Sequence, residues 1–254
     1  MEVAKMEKEA KILQLKAEIF PLCLRDIIPP KVDLNLFCSH GFDLHSLKGK
    51  KFSFKVFKRC ASHLALFLIP FSEEKPNYFL KLYNTRLFKR NRVKAFWENM
   101  EKLKSLEILF ISPLALWWTS PWKAFLNRAP FYGAILFPYM ERGFLAKRDI
   151  LPPNTQINYP LVQKIVEFLF TLHNKGILLK DSKIYNYYLS PSGELKLFDL
   201  DGIRFYCRPL KLKERVRDLI PLARGLTRLG IKEAKTLVWD LYGALYPPLL
   251  KEKF

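Results

Sequence analysis

Glycine is scarce in this sequence: ten in 254 residues, and none between Gly49 and Gly133. A glycine-rich phosphate loop is therefore absent from that stretch. Cysteine is scarcer still. Cys23, Cys38, Cys60 and Cys207 form no C-x-x-C pair, and the four histidines are scattered. Neither a zinc site nor a disulfide framework is indicated, and a reducing cytosol fits best. Acidic residues are outnumbered, 24 against 43 Lys and Arg, giving a net charge of +19. That imbalance favours nucleic acid, anionic lipid or a phosphorylated substrate as partner, or else marks a Lys-rich, heat-adapted surface. Long apolar runs are missing as well. The segment "ILFISPLALWW" (108–118) falls well short of the ~20 residues that span a bilayer. Met1 leads into charged residues, so no secretory signal is visible. A cytoplasmic protein is expected, soluble or peripheral on a membrane face.

What is present is enough to fold. Half the residues are hydrophobic and aromatics are plentiful, so a core can form. Residues 2–20 suit a surface helix, broken by "IIPPKVD" (27–33). From Lys51 the period becomes two. "KFSFKVFKR" alternates Phe52, Phe54 and Val56 with polar positions, and "HLALFLIPF" (63–71) and "NYFLKLYN" (77–84) read as further strands. Residues 92–109 carry Phe96, Met100 and Leu103 on one helical face. Apolar runs at 108–118 and 133–141 follow, the second strand-like. The texture then turns helical, over 161–176 with Gly176 as C-cap, and over 213–230 and 232–245. The reading is α+β. A strand-rich part with one helix (49–141) follows an N-terminal extension (1–48), and a helix-rich part (142–254) completes the chain.

One segment concentrates unusual chemistry. "KDSKIYNYYLSPSGELKLFDLDG" (180–202) places Asp181 five residues before Asn186, then a Ser-Pro-Ser-Gly turn, then Asp199 and Asp201. Upstream, Lys81 lies in the third strand and Glu98 in the following helix, with Glu101 as the alternative on that face. Phosphoryl transfer from ATP needs this set. A lysine grips the α- and β-phosphates and a glutamate holds it. A carboxylate deprotonates the attacking hydroxyl. An asparagine and a second aspartate carry Mg²⁺, which takes hard oxygen ligands and keeps several waters. Asp201 is a further candidate metal ligand or, more simply, a turn cap. His173 reads as structural, and Asp218 as an anchor for the loop at 181.

The interval D-x-x-x-x-N and the returning hairpin resemble the catalytic core of the protein-kinase-like superfamily. More closely, "LHNKGILLKDSKIYNYYLSPSGELKLFDLDGIRFY", with "NYFLKLYNTR", "AFWENMEKL" and "ERVRDLIPLARGL", is similar to bacterial lipopolysaccharide kinases acting on core heptose or Kdo sugars. The resemblance covers roughly residues 50–225. It implies a bilobal fold, with a small antiparallel-sheet N-lobe that binds ATP and a larger helical C-lobe. It also implies transfer of the γ-phosphate to a sugar hydroxyl of the lipopolysaccharide inner core, at the cytoplasmic face of the inner membrane. By position, Asp181 is then the base and Asn186 and Asp199 the metal ligands. Lys81 holds phosphate and Glu98 pairs with it. Lys183 contacts the γ-phosphate, and Met140 in "FPYM" lines the adenine pocket.

Two departures stand out. The loop reads Leu179-Lys180-Asp181 without the usual histidine. "KRCASH" (58–63) occupies the place of the glycine loop, leaving Lys58, Arg59 or Ser62 to meet phosphate. A protein or small-molecule kinase, or a catalytically degenerate scaffold, are the alternatives. No nucleic-acid motif is present. The basic run "RFYCRPLKLKERVR" (204–217) offers Arg204, Arg208, Lys211, Lys213, Arg215 and Arg217 to an anionic glycolipid or headgroup surface. "RLFKRNRVK" (86–94) is a second basic cluster.

Overall fold

The computed structural model describes residues 52–86, 90–140, 147–151 and 157–247, and the backbone of 35–38. The expected helix at 2–20, its breaker at 27–33 and most of the segment 140–147 lie outside these. The chain divides into two compact units: one runs to Val93 and includes Ser112–Tyr139, and the other comprises Lys94–Ile111 and Met140 onward. No helix among the described residues is long and apolar enough to cross a membrane.

The first unit is a six-stranded antiparallel sheet. Its strands are β1 (Asn35–Cys38), β2 (Phe52–Arg59), β3 (His63–Pro70), β4 (Tyr78–Asn84), β5 (Ala115–Trp118) and β6 (Phe131–Pro138), in the order β1-β5-β6-β4-β3-β2. Residues directly opposite one another share a face. Leu66, Leu80, Leu136 and Ala115 lie in one cross-strand row and form the centre of an apolar cluster with Phe52, Leu68, Leu82 and Trp117. The neighbouring row on the opposite face is Lys58, Ala65, Lys81, Ile135 and Leu116.

Lys58 reaches that row because of an irregularity. The register of β2 on β3 shifts between Val56, opposite Leu66, and Lys58, opposite Ala65. Strict alternation would put Val56 and Lys58 on one face. A bulge inserts Phe57 and turns Lys58 to the other. Phe57 then lies edge-on to Phe67 and Phe79, with centroids 5.2 and 5.7 Å away.

Helix α1 (Arg92–Ser105) is shorter than its apolar period suggests. Glu107 takes φ +56°, and the Ile108 amide turns back to the Leu103 carbonyl at 3.0 Å. The following apolar run yields strand only over β5, since Pro113 cannot donate to a ladder. A short helix, α2 (Pro121–Leu126), adds to the single helix expected in this half, started by Pro121 at its first turn.

The second unit holds α3 (Lys147–Ile150), α4 (Tyr159–Asn174), β7 (Ile177–Leu178), β8 (Tyr187–Leu189), β9 (Leu195–Leu197), β10 (Arg204–Phe205), α5 (Leu212–Arg228) and α6 (Ala234–Leu245). Asn158 caps α4, its side chain accepting the Leu161 amide at 3.2 Å. Leu161, Ile165, Leu169 and Leu172 form its buried stripe. Most of α1 belongs here too. Asn99 donates to the Leu200 carbonyl at 2.7 Å, and the Lys102 ammonium lies 5.3 Å from the Phe205 ring centre.

Gly176 ends α4 at φ +75°, and a Cβ there would meet the carbonyl oxygens of Tyr206 and Arg208 at 2.3 and 2.5 Å. The Tyr206 amide also donates to the Gly176 carbonyl at 2.8 Å. Both the backbone conformation and the space therefore demand glycine. Gly176→Ala is expected to cost about 2–4 kcal/mol, lowering the thermal midpoint by about 5–15 °C. A midpoint within 2 °C of the parent in a calorimetric scan would contradict this.

Candidate active site

The loop between β7 and β8 is fixed by a buried carboxylate. Asp218 of α5 is fully buried. Its two oxygens accept the amides of Leu179 and Lys180, each at 2.7 Å. The Ser182 hydroxyl donates to the Asp218 carbonyl. These bonds hold the chain on both sides of Asp181, as the sequence reading of Asp218 expects. Lys180, next to Asp181, takes φ +67°.

Behind Asp218 runs an ordered chain of donors. His173 Nε2–H donates to Asp218 Oδ2 at 3.2 Å, and the Tyr242 hydroxyl donates to His173 Nδ1 at 2.6 Å. Arg215 Nη1–H donates to the Tyr242 oxygen at 2.8 Å, while its Nη2–H and Nε–H serve Asn174 Oδ1 and the Leu210 carbonyl, each at 2.8 Å. The Arg215 guanidinium also packs 4.2 Å from the Tyr246 ring centre. Only a neutral imidazole both accepts and donates along this chain.

Within the loop, Lys183 Nζ lies 2.9 Å from Asp181 Oδ1 and 3.0 Å from Oδ2. Asn186 Nδ2–H donates to the Asp181 carbonyl at 2.6 Å. The β8–β9 hairpin then returns the chain, and the Phe198 amide donates to the Asn186 carbonyl at 2.9 Å. Asp199 follows in the left-handed conformation, φ 63° and ψ 60°. That conformation is costly for a non-glycine residue. Asp181, Lys183, Asn186 and Asp199 thus come from one continuous, hydrogen-bonded segment. With its amide nitrogen committed to the backbone, Asn186 presents its amide oxygen. An amide oxygen and a carboxylate are hard oxygen ligands of the kind Mg²⁺ takes. Among the described residues, no group of three or more His, Cys, Asp or Glu forms a metal cluster. Asp201 sits buried inside the short turn at 200–202.

The remaining candidates are carried by other elements. Lys81 is in the first unit on β4, 5% exposed, its ammonium 5.3 Å from the Tyr83 ring centre. Glu98 is on α1 in the second unit, 3.7 Å from Lys94. Met140 begins the second unit and is half-buried. The turn between β2 and β3 gathers Cys60, Ser62 and His63, with Cys60 Sγ 3.1 Å from His63 Nδ1 and 3.3 Å from Ser62 Oγ. Burial raises the Cys60 thiol. Hydrogen bonds from Ser62 and His63 and the charge of Lys58 outweigh it, holding the thiol below its ordinary value.

The basic run at 204–217 needs correcting. Arg215 is buried and structural, so it offers nothing to an external anion. Arg208 is engaged by Glu214, at 2.8 and 2.9 Å, and holds that carboxyl down to about 2. Glu214 also accepts the Lys211 amide at 2.7 Å, capping α5. Arg204, Lys211 and Arg217 are exposed, as is Lys213.

The fold is that of the protein-kinase-like class: an antiparallel sheet with a helix, followed by a helix-rich unit that carries the Asp-Asn-Asp segment. The structure is similar to that of WaaP in complex with acyl carrier protein, with a TM-score of 0.55 and 15% sequence identity, over 85% of this chain and 95% of that one. It also matches a ROP18 kinase domain in complex with AMP-PNP and sucrose, with a TM-score of 0.41 and 12% identity, over 74% of this chain and 61% of that one. No protein-family model matches the chain, and no curated protein sequence does. The resemblance to lipopolysaccharide core kinases drawn from the sequence therefore extends to the fold.

His173 makes stability depend on pH. Burial depresses its imidazole below the ordinary 6.5, against the opposing pull of Asp218. A depressed folded-state value means that the unfolded chain takes up the proton first as pH falls. The stability is thus fully present above pH 6.5 and is lost as pH falls through the folded value. Urea unfolding at pH 7.5, 6.5 and 5.5 should show a decline below 6.5 approaching about 1.4 kcal/mol per pH unit. His173→Gln, neutral throughout, should flatten it; an equal decline in both proteins refutes the assignment.

Proposed function

We propose that this protein is an ATP- and Mg²⁺-dependent kinase that phosphorylates a sugar hydroxyl of the lipopolysaccharide inner core. The observation that carries the reading is the segment 181–199. It presents Asp181, paired with Lys183, beside Asn186, and leads through a hairpin to Asp199 held in a strained backbone. The likeness of the fold to that of WaaP supports a kinase reading of the segment.

In this reading Asp181 orients the acceptor hydroxyl and takes its proton as the new oxygen–phosphorus bond forms. The bond from the γ-phosphorus to the bridging oxygen breaks, and ADP leaves. Lys183 pairs with Asp181 and offers its remaining donors to the transferred phosphoryl group. Lys81 grips the α- and β-phosphates, and Met140 meets the adenine. Asn186 and Asp199 are the residues that would hold magnesium, which supplies neutralisation of charge on the β- and γ-phosphates. Binding of nucleotide without turnover is the second reading, and the glycine-free hairpin at 58–63 favours it.

The test is transfer from ATP to inner-core acceptors with Mg²⁺, comparing the parent with Asp181→Ala. A loss of about 10²–10⁴ in turnover, with ATP affinity retained, is expected. ATP binding without transfer to any core acceptor in the parent would leave the second reading standing.

The exposed Arg204, Lys211, Lys213 and Arg217 support an anionic acceptor surface. Binding to vesicles containing anionic lipid should fall steeply between low and high salt. Lys211→Glu with Lys213→Glu should weaken it at least tenfold, at about 1 kcal/mol per basic residue. Salt-insensitive binding, or none, sinks the membrane part of the proposal.

A further inference from the structure

The turn that stands where a glycine loop would be is rigid. The Cys60 amide donates to the His63 carbonyl at 3.0 Å. Asn84 Nδ2–H serves the carbonyls of Cys60 and Ala61 at 3.3 and 3.1 Å, and its backbone amide that of Ser62 at 3.1 Å. Every residue of this turn carries a Cβ, so its backbone cannot close around phosphate as glycine does. Side chains take up the space instead.

Ser62 Oγ is the meeting point. Arg92 Nη1–H donates to it at 3.0 Å, and His63 Nδ1 lies 3.1 Å away. The Arg92 guanidinium packs 5.4 Å from the centre of the Tyr83 ring, and the Lys81 ammonium lies 5.3 Å from that same centre. Tyr83 is fully buried, and the Arg92 amide donates to the Tyr132 hydroxyl at 3.0 Å, so the platform under both cations is fixed. Lys58 lies in one cross-strand row with Lys81, two strands away. Strands β2, β3 and β4 contain no acidic residue. Lys58 and Lys81 therefore lie on one face of the sheet, and Arg92, at the start of α1, meets Ser62 at the turn and Tyr83 beside Lys81.

We propose that Arg92 and Ser62 bind the polyphosphate of the nucleotide, taking over from the missing glycine loop, an inference that rests on the nucleotide-dependent reading above. A guanidinium fork engages two phosphate oxygens at once, which a lysine does not. Lys81 takes one part of the chain of phosphates as a point charge. Arg92, anchored through Tyr83 and Ser62, takes another.

The experiment measures binding of ATP, adenosine and inorganic tripolyphosphate to the full chain by calorimetry, for the parent and for Arg92→Ala, Arg92→Lys and Ser62→Ala. Arg92→Ala should weaken ATP and tripolyphosphate about tenfold or more and leave adenosine unchanged. Arg92→Lys should recover part of the loss, and Ser62→Ala should weaken ATP by a few-fold. Should Arg92→Ala fail to fold, Arg92→Lys and Ser62→Ala decide by the same criterion. Equal ATP affinity in all folded variants overturns the proposal. So does a parallel loss of adenosine and ATP, which marks Arg92 as structural. A parent that binds tripolyphosphate but no nucleotide overturns the nucleotide reading while upholding the anion site, and a parent that binds none of the three overturns both.

Discussion

A single buried carboxylate organises the second unit. Asp218 accepts two backbone amides from the loop at 179–180 and the imidazole N–H of His173. A buried charge is tolerable only when its hydrogen-bonding capacity is met. Here it is met by the very backbone that precedes Asp181, so the position of that segment and the satisfaction of the core are one requirement. The donors behind it extend the same logic. Arg215, Tyr242 and His173 each hand a hydrogen toward Asp218, tying α4, α5 and α6 to the loop.

Beyond that anchor the segment supports itself. Lys183 neutralises Asp181, Asn186 ties the loop back to the Asp181 carbonyl, and a three-residue strand pair returns Phe198 to Asn186. The left-handed backbones of Lys180 and Asp199 are places where local energetics yield to position. In the first unit the same economy appears in a different form. A bulge at Phe57 turns Lys58 onto the face of Lys81, and a buried tyrosine carries two cations on one ring. Cationic side chains are thus carried on the sheet itself, beside a turn that has no glycine.

The sequence carried more of the second unit than of the first. Asp181 and Asn186 were legible because their interval is set by local backbone geometry, and Asp199 because a Ser-Pro-Ser-Gly turn must return the chain. Gly176 was legible as a helix end, and Asp218 as an anchor. Strand periodicity gave β2, β3 and β4. It failed at Phe57, because alternation holds only until a bulge interrupts it, and in the run 108–118, where Pro113 and the turn at Glu107 break the strand.

Charge misled most. Arg215 reads as one more exposed cation in a basic run, yet it is buried against Tyr246 and Tyr242. Its fate depends on Tyr242, 27 residues away, which no local pattern reveals. Ser62 and Arg92 are separated by 30 residues and meet only because β2, β3 and β4 bring the turn to the start of α1. The sequence alone thus placed Asp181, Asn186 and Asp199 in one segment, since they sit at short, fixed intervals along the chain. The tertiary structure alone decided which cations face outward and which hold the core. Burial is a property of contacts between distant segments, and a charged side chain reads the same in a sequence whether it is solvated or enclosed.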